Sequence, residues 1–296
     1  MQNGKKKILI HSLIFSPDGV STAYLYNDIA LAFQKKGYEV VVLSTTPHFN
    51  VVQEQLAEQP MKWGLWGAYK KSCFQGIPVY HVPQKKFKST LLRLIGFVYW
   101  HIVSFFVGLG IKNVDVILSP SPPLTIGLLN LWLTKIKGCK VVYNVQEIYP
   151  DIDKDNTGIL VIANINPYGR LERKVYNSSD AVTTIDQVFY DTIVGRFNEP
   201  EHLHIIPNFV DTDLYRSGVD TSELDKESFP DTDSVKLLYA GNIGFAQDWE
   251  PLVRLAEKTK DLNVEYFLIG EGVRKSYVED KKKELGLDKL HVLPYQ

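Results

Sequence analysis

Glycine-bearing turns mark where this chain could hold a ligand. Asp18-Gly19-Val-Ser-Thr follows one apolar run, Gly241-Asn242-Ile-Gly244-Phe-Ala-Gln247 a second, and Gly270-Glu271-Gly272 closes a third. A glycine turn that opens a helix lets backbone N–H groups approach a phosphate at the positive end of the helix dipole. Taken singly, each is also an ordinary strand-to-helix turn. Two of them in separate sheets suit an anionic ligand held between two domains. The chain has neither Gly-x-Gly-x-x-Gly nor Gly-x-x-x-x-Gly-Lys-Ser/Thr, which sets aside the dinucleotide fingerprint and the P-loop.

Carboxylates offer a second kind of chemistry. Gln146 and Glu147 end an apolar strand, and Tyr149-Pro150-Asp151 makes a stiff turn beyond them. Strand ends are where ligands sit in open parallel sheets. The alternative for Glu147 is a capping acid on a loop. Asp151-Ile-Asp153, Asp211-Thr-Asp213 and Asp231-Thr-Asp233 each fit Asp-x-Asp. A hard cation needs several convergent oxygens. These pairs fall in loops, so no metal and no other cofactor is expected. His202 and His204 alternate on an expected strand and face solvent without metal partners.

These residues need a scaffold that brings strand ends together. Lys7–Leu13 and Tyr38–Ser44 read as continuous apolar strands, the signature of a parallel sheet covered on both faces. Further strands are expected at Ile77–Val82, placed at an edge because of Pro78, and at Val114–Ser119, Lys140–Gln146, Ala181–Ile185 and Leu203–Asn208. Helices are expected at Thr22–Lys36, Leu91–Ile111, Leu124–Ile136, Tyr168–Asn177 and Val188–Phe197. The acid-rich stretch 211–234 reads as a linker. A second sheet then begins at Val235, with a helix opened by Asp248 as N-cap. The fold class is α/β, with two Rossmann-like doubly wound domains: residues 1–210, and a partial one at 235–296.

Composition excludes several functions. The net charge of −1 gives no bulk attraction to nucleic acid, and two cysteines build neither a disulfide framework nor a cysteine-rich metal site. The start lacks a signal-peptide pattern, so a cytoplasmic location is expected. Charge is uneven, however. The 56 residues from Gln59 to Val114 hold no Asp or Glu and carry +8. Trp63, Trp66, Lys85, Lys86, Lys88, Arg93 and Trp100 lie in this stretch and are expected to meet an anionic membrane surface. Leu94–Ile111 carries no formal charge with His101 neutral; it reads as an interfacial helix, with a core helix as the alternative.

In order, these segments resemble a known family. Lys36-Gly-Tyr-Glu-Val-Val-Val-Leu-Ser-Thr-Thr-Pro47, Tyr143-Asn-Val-Gln-Glu-Ile-Tyr-Pro150, Ile205-Ile-Pro-Asn-Phe-Val-Asp211, Leu238-Tyr-Ala-Gly-Asn-Ile-Gly244 and Phe267-Leu-Ile-Gly-Glu-Gly272 are similar to the family 4 retaining glycosyltransferases of the GT-B fold. The similarity is closest to the branch that builds bacterial surface polysaccharides. It implies a nucleotide-sugar donor on the second domain and a lipid-linked or saccharide acceptor on the first. It implies that Gly19 and the Gly241, Asn242, Gly244 and Gln247 turn meet the donor diphosphate. Gly270, Glu271, Gly272, Leu293 and Pro294 would lie by the base and ribose. Together with the acid-free stretch above, it makes the expected location peripheral on the inner face of the cell membrane.

The chain departs from the family pattern. Gln146-Glu147 stands where members often carry His-Asp, and Asn242 and Gln247 stand where many carry Arg and Lys. The family's Glu-x₇-Glu element falls past Gln296, so a C-terminal part is expected to be lacking, or supplied by a partner polypeptide, and the isolated chain is expected to transfer no sugar. Two alternatives stay open: a catalytically incomplete homologue acting as a binding subunit, and a sugar-nucleotide epimerase of GT-B fold.

Overall fold

The structure is a computed structural model describing residues 4–64, 67–84, 89–148, 167–213, 218, 229, 232–245 and 247–294. The chain divides into two units, Met1–Thr212 and Asp213–Gln296.

The first unit runs β1 (Lys7–His11), α1 (Ser21–Lys35), β2 (Glu39–Thr45), α2 (Gln53–Glu58), β3 (Lys62–Trp63), β4 (Lys70–Phe74), β5 (Ile77–Val82), α3 (Thr90–Gly110), β6 (Val116–Pro120), α4 (Leu124–Lys137), β7 (Lys140–Val145), α5 (Pro167–Ser178), β8 (Ala181–Thr184), α6 (Gln187–Ile193) and β9 (Leu203–Ile205). The sheet order is β3-β4-β5-β2-β1-β6-β7-β8-β9. From β5 to β9 every pairing is parallel, while β3 and β4 join antiparallel. Counting the parallel strands alone gives a doubly wound order that reverses between β1 and β6.

Successive strand residues point to opposite faces, and the two cores follow from this. Ile8, Ile10, Val40 and Val42 pack with Tyr26 and Ala30 of α1. Leu9, Val41, Leu43, Ile117 and Tyr143 pack with Trp100 of α3 and Ile126 of α4. α1 buries Ala23, Tyr26, Asn27 and Ala30, one face at helical spacing. α4 stops at Gly138, whose φ of 68° is the left-handed cap that glycine adopts without strain.

Several expectations need correction. β5 is internal. Pro78 is tolerated because the ladder with β2 begins only at Val79, while Pro78 faces Cys73 on β4. The last strand is short, Leu203–Ile205, and His202 lies in a 3₁₀ turn, Pro200–His202, beside Glu199. β3, β4 and α2 carry too little apolar periodicity to be read from sequence.

The second unit is a parallel sheet β10-β11-β12 with β10 (Val235–Ala240), α7 (Glu250–Lys258), β11 (Val264–Ile269), α8 (Lys275–Leu285) and β12 (Leu290–Leu293). Ile243, Trp249, Val253, Tyr266, Leu268, Val278 and Leu290 form its core. α7 begins one residue later than expected, with Trp249 in the cap position; Asp248 still serves the start, its Oδ1 accepting from Glu250 N at 3.2 Å. Leu237 and Leu238 point to opposite faces of β10, and both are exposed. α8 is missed by sequence reading because its charged residues leave only Val278 buried.

Candidate active site

The carboxyl edge of the first sheet carries a connected set of polar side chains. Asn144 on β7 accepts from Tyr26 Oη and donates to Thr183 Oγ1 at 2.8 Å. Gln146 Nε2 donates to Asn144 Oδ1 at 2.7 Å and to Asn208 Oδ1 at 3.1 Å, and Asn208 Nδ2 returns a bond to Gln146 Oε1 at 2.9 Å. Ser121 Oγ accepts from Gln146 N at 2.9 Å. Burial pushes the Tyr26 phenol well above its ordinary range, so it stays a neutral donor. The Gln146 amide has its donors and acceptor engaged and no titrating proton. Glu147, the next residue along this strand end, is half-buried. Sequence reading did not pick out Tyr26, Ser121, Asn144, Thr183 or Asn208 for this network.

His11, the last residue of β1, is wholly buried. Its Nδ1 lies 2.7 Å from Asn130 Oδ1, and Asn130 Nδ2 donates to Ser119 Oγ at 2.8 Å. Burial holds its pKa down to about 4, against the opposing bond to Asn130. His11 is therefore neutral, with Nδ1 protonated and donating.

Gly19 sits at the start of α1, as read from sequence, but its N–H is not open to a ligand. It donates to Phe49 O and Asn50 O, both at 3.0 Å. A Cβ there would lie 2.5 Å from Asn50 O, so glycine is required by packing against the chain after β2. Asp18 Oδ1 fastens the same chain, accepting from His48 N and Phe49 N at 2.7 Å. The open amides at this edge belong to Val20, Ser21 and Thr22, which have no acceptor among the described residues.

In the second unit the two glycine turns meet. Gly241 N donates to Ile269 O and Ile243 N to Glu271 O, both at 2.9 Å, and Gly270 N donates to Leu293 O at 3.0 Å. A Cβ on Gly270 would fall 1.9 Å from Gly241 O, and one on Gly272 2.2 Å from Ile243 O. With φ of 153° and 157°, only glycine suits either position. Gly244 N points at Gln247 Oε1 at 3.3 Å, and Trp249 Nε1 donates to Gly244 O. Asn242, Glu271 and Gly272 keep their N–H groups without acceptors among the described residues. Pro294 ends the described chain beside this edge. The start of α7 is not an open anion site, since Asp248 occupies the Glu250 amide. Arg274 follows the second turn, its guanidinium 4.2 Å over Tyr277, and Lys275 pairs with Glu271 at 2.6 Å. Sequence reading passed over both cations.

The residues expected to meet a membrane separate. Trp63 is exposed, with Lys70 over its ring at 4.8 Å, and Arg93 is exposed. Trp100 is fully buried against α4 and the sheet, which corrects that expectation. Trp66, Lys85, Lys86 and Lys88 lie outside the described residues, as do Asp151, Asp153 and Asp231. Among the described residues no group of three His, Cys, Asp or Glu converges as a metal site. α3 is long and apolar enough to cross a bilayer by length and composition. It buries only Trp100, Ser104 and Gly108, and exposes Leu91, Leu94, Ile95, Val98, Ile102 and Phe106 on the other side.

Known proteins resemble this chain. A colanic acid biosynthesis glycosyl transferase of Escherichia coli, WcaI, is 24% identical over 305 residues, covering 98% of this chain and 72% of that protein. Among solved structures, Anabaena HepE in complex with UDP and glucose matches with a TM-score of 0.66 at 15% identity, over 98% of this chain and 70% of HepE. WaaG, a glycosyltransferase involved in lipopolysaccharide biosynthesis, matches with a TM-score of 0.60 at 15% identity, over 98% of this chain and 70% of WaaG. These likenesses show the GT-B fold, with two Rossmann-like units. Residues 23–214 match the profile of Glycosyltransferase Family 4. The chain belongs to Glycosyltransferase Family 4.

Proposed function

We propose that this chain is the larger part of an enzyme that transfers a sugar, with retention of configuration, from a nucleotide-sugar donor to a lipid-linked or saccharide acceptor in surface polysaccharide synthesis, the isolated chain transferring none. The observation that carries this reading is the backbone-to-backbone meeting of the Gly241 and Gly270 turns at the carboxyl edge of the second sheet. Glycines at both turns bring bare backbone close to a ligand, and the open amides of Asn242, Glu271 and Gly272 face the developing charge of a departing diphosphate. HepE binds UDP and glucose, which supports a uridine diphosphate donor here. Glu147 and the Tyr26–Asn144–Gln146–Asn208 set belong on the acceptor side, with Glu147 touching substrate and Gln146 positioning it. No metal is needed for this reading.

α3 supports work at a membrane. Its buried stripe is packed on the domain, so its exposed apolar stripe suits an interface rather than a span. The acid-free surroundings suit anionic lipid on the cytoplasmic side. The test is transfer of radiolabelled sugar from UDP-glucose and related donors into lipid-extractable product, by a polypeptide carrying these residues, with the anomer read by NMR. Product of inverted configuration would overturn retention. Absence of UDP binding would overturn the donor reading.

The exposed Leu237 and Leu238 of β10 favour a second reading, a binding subunit that works with another polypeptide covering that strand. Acceptor binding without UDP binding would favour it. Formation of an epimeric sugar nucleotide without acceptor would favour an epimerase instead.

A further inference from the structure

Where the two glycine turns of the second unit meet, Arg274 is a cation with no carboxylate partner among the described residues. The other charges there are engaged. Lys275 Nζ lies 2.6 Å from Glu271 Oε1. Glu250 accepts from Arg254 Nε at 2.8 Å and from Tyr277 Oη at 2.5 Å, and Asp248 Oδ1 is taken by the Glu250 amide. Arg274 is nevertheless held in place. Its backbone N–H donates to Ile243 O at 3.0 Å, which ties it to the first turn. Its guanidinium carbon lies 4.2 Å from the centre of the Tyr277 ring and 5.7 Å from that of Phe245, a residue that continues the first turn and is 78% exposed. Stacking occupies the faces of the guanidinium plane and leaves the N–H groups in that plane for an acceptor. None of them has a hydrogen-bond acceptor among the described residues. The open amides of Asn242, Glu271 and Gly272 belong to the same two turns.

An arginine ordered by aromatic rings, with its hydrogen-bonding edge unengaged, is prepared for an oxyanion that accepts two parallel N–H bonds. The rings have already restricted the side chain, so little freedom is lost when the anion arrives. We propose that Arg274 is an anion-binding residue of the second unit, that it takes an anionic group of the nucleotide-sugar donor, and that it thereby selects among donors. This rests on the nucleotide-sugar reading above and assigns to it a side chain at the start of α8, outside both glycine turns. Two groups of such a donor have the required chemistry: the diphosphate, and a carboxylate where the sugar is a uronic acid. Lys275 does not fill this role, because Glu271 holds its ammonium. A lysine at position 274 would keep the charge and lose the planar fork.

The test is calorimetry on the full chain with uridine, UDP, UDP-glucose and UDP-glucuronate, beside the NMR signal of the Arg274 Nε–H group titrated with inorganic pyrophosphate and the same nucleotides. Arg274→Gln should weaken each ligand that carries the recognised group about tenfold, the size of one charge-assisted contact, and leave uridine unchanged. Equal losses for UDP, UDP-glucose and UDP-glucuronate assign the diphosphate. A loss confined to UDP-glucuronate assigns the sugar carboxylate. Arg274→Lys should restore part of the loss in either case. Arg274 is half-buried with no hydrogen bond from its guanidinium among the described residues, so the variants should fold, and melting temperatures equal to native confirm it. Equal binding of all ligands by the native chain and Arg274→Gln overturns the proposal and leaves the donor reading standing. An equal loss for uridine also overturns it, because that marks a disturbed nucleoside pocket rather than a missing anion contact. A shift of the Arg274 signal with pyrophosphate, in a chain that binds no UDP, keeps the anion site and removes the donor reading. An Arg274 signal that none of pyrophosphate, UDP and UDP-glucuronate moves overturns the proposal outright.

Discussion

The exposed stripe of α3 makes a quantitative prediction. Leu91, Leu94, Ile95, Val98, Ile102 and Phe106 are 66%, 58%, 54%, 48%, 55% and 65% exposed. Complete burial of such a side chain contributes about 1.5–3 kcal/mol, so the half still exposed retains about 1 kcal/mol each, or roughly 6 kcal/mol for the stripe. Each basic residue near an anionic surface adds about 1 kcal/mol. That part fades with salt, as the screening length falls from about 8 Å at 0.15 M to about 3 Å at 1 M. The apolar part does not. Ile95→Asn with Ile102→Asn removes two of the six side chains, about 2 kcal/mol, and should weaken vesicle binding roughly thirtyfold. Neither residue belongs to the buried stripe, so stability should hold. Sedimentation with neutral and anionic vesicles at 0.05 and 1 M salt measures this. A double variant that folds normally and binds both vesicle types as tightly as the native chain would refute the reasoning. So would a native chain that binds neither at low salt.

Four further outcomes are expected. Gly270→Ala should abolish UDP binding and lower the melting temperature of the second unit, because its Cβ meets Gly241 O at 1.9 Å; unchanged UDP binding by a folded variant would contradict the placement. Gln146→Glu should cost about 1–3 kcal/mol in chemical denaturation, because carboxylate oxygens would face Asn144 Oδ1 and Asn208 Oδ1 where an amide now donates. His11 and His81 have pKa values lowered by burial to about 4 from 6.5. Both are neutral when folded and take up protons on unfolding, so the stability they contribute is complete above pH 6.5 and declines toward pH 4 by about 1.4 kcal/mol per pH unit each; a denaturation midpoint flat between pH 7 and 4.5 would exclude this. Hydrogen bonds from Ser234, Thr232 and His291 hold the Glu265 carboxyl to about 2. Its contribution is present above its unfolded value and lost as pH falls toward 2, so Glu265→Gln should flatten that acid limb of the second unit's unfolding.

Much of the fold is legible because it rests on local pattern. Continuous apolar runs at β1, β2 and β7 mark strands buried on both faces, and glycine after a helical run marks its end. The turns at Gly241 and Gly270 are also visible, since close backbone approach leaves glycine as a local sign. Position within the sheet is less legible. Pro78 signals an edge, yet the register that starts the β2 ladder at Val79 makes β5 internal.

Side-chain direction and partnership are decided only in the tertiary structure. α3 is apolar nearly all round, so its composition cannot tell the buried Trp100 from the exposed Ile102 two residues on; packing against α4 and the sheet separates them. Gly19 has the sequence of an anion loop, but the strand order brings Phe49 and Asn50 onto its amide. Gln146 and Asn208 are 62 positions apart, and their reciprocal bond leaves no local trace. The sequence by itself determined the parallel sheets and their glycine turns, because hydrophobic periodicity and backbone freedom are properties of neighbouring residues. The tertiary structure alone decided which polar groups are engaged and which stay open, because hydrogen bonds across strands join residues that the chain keeps far apart.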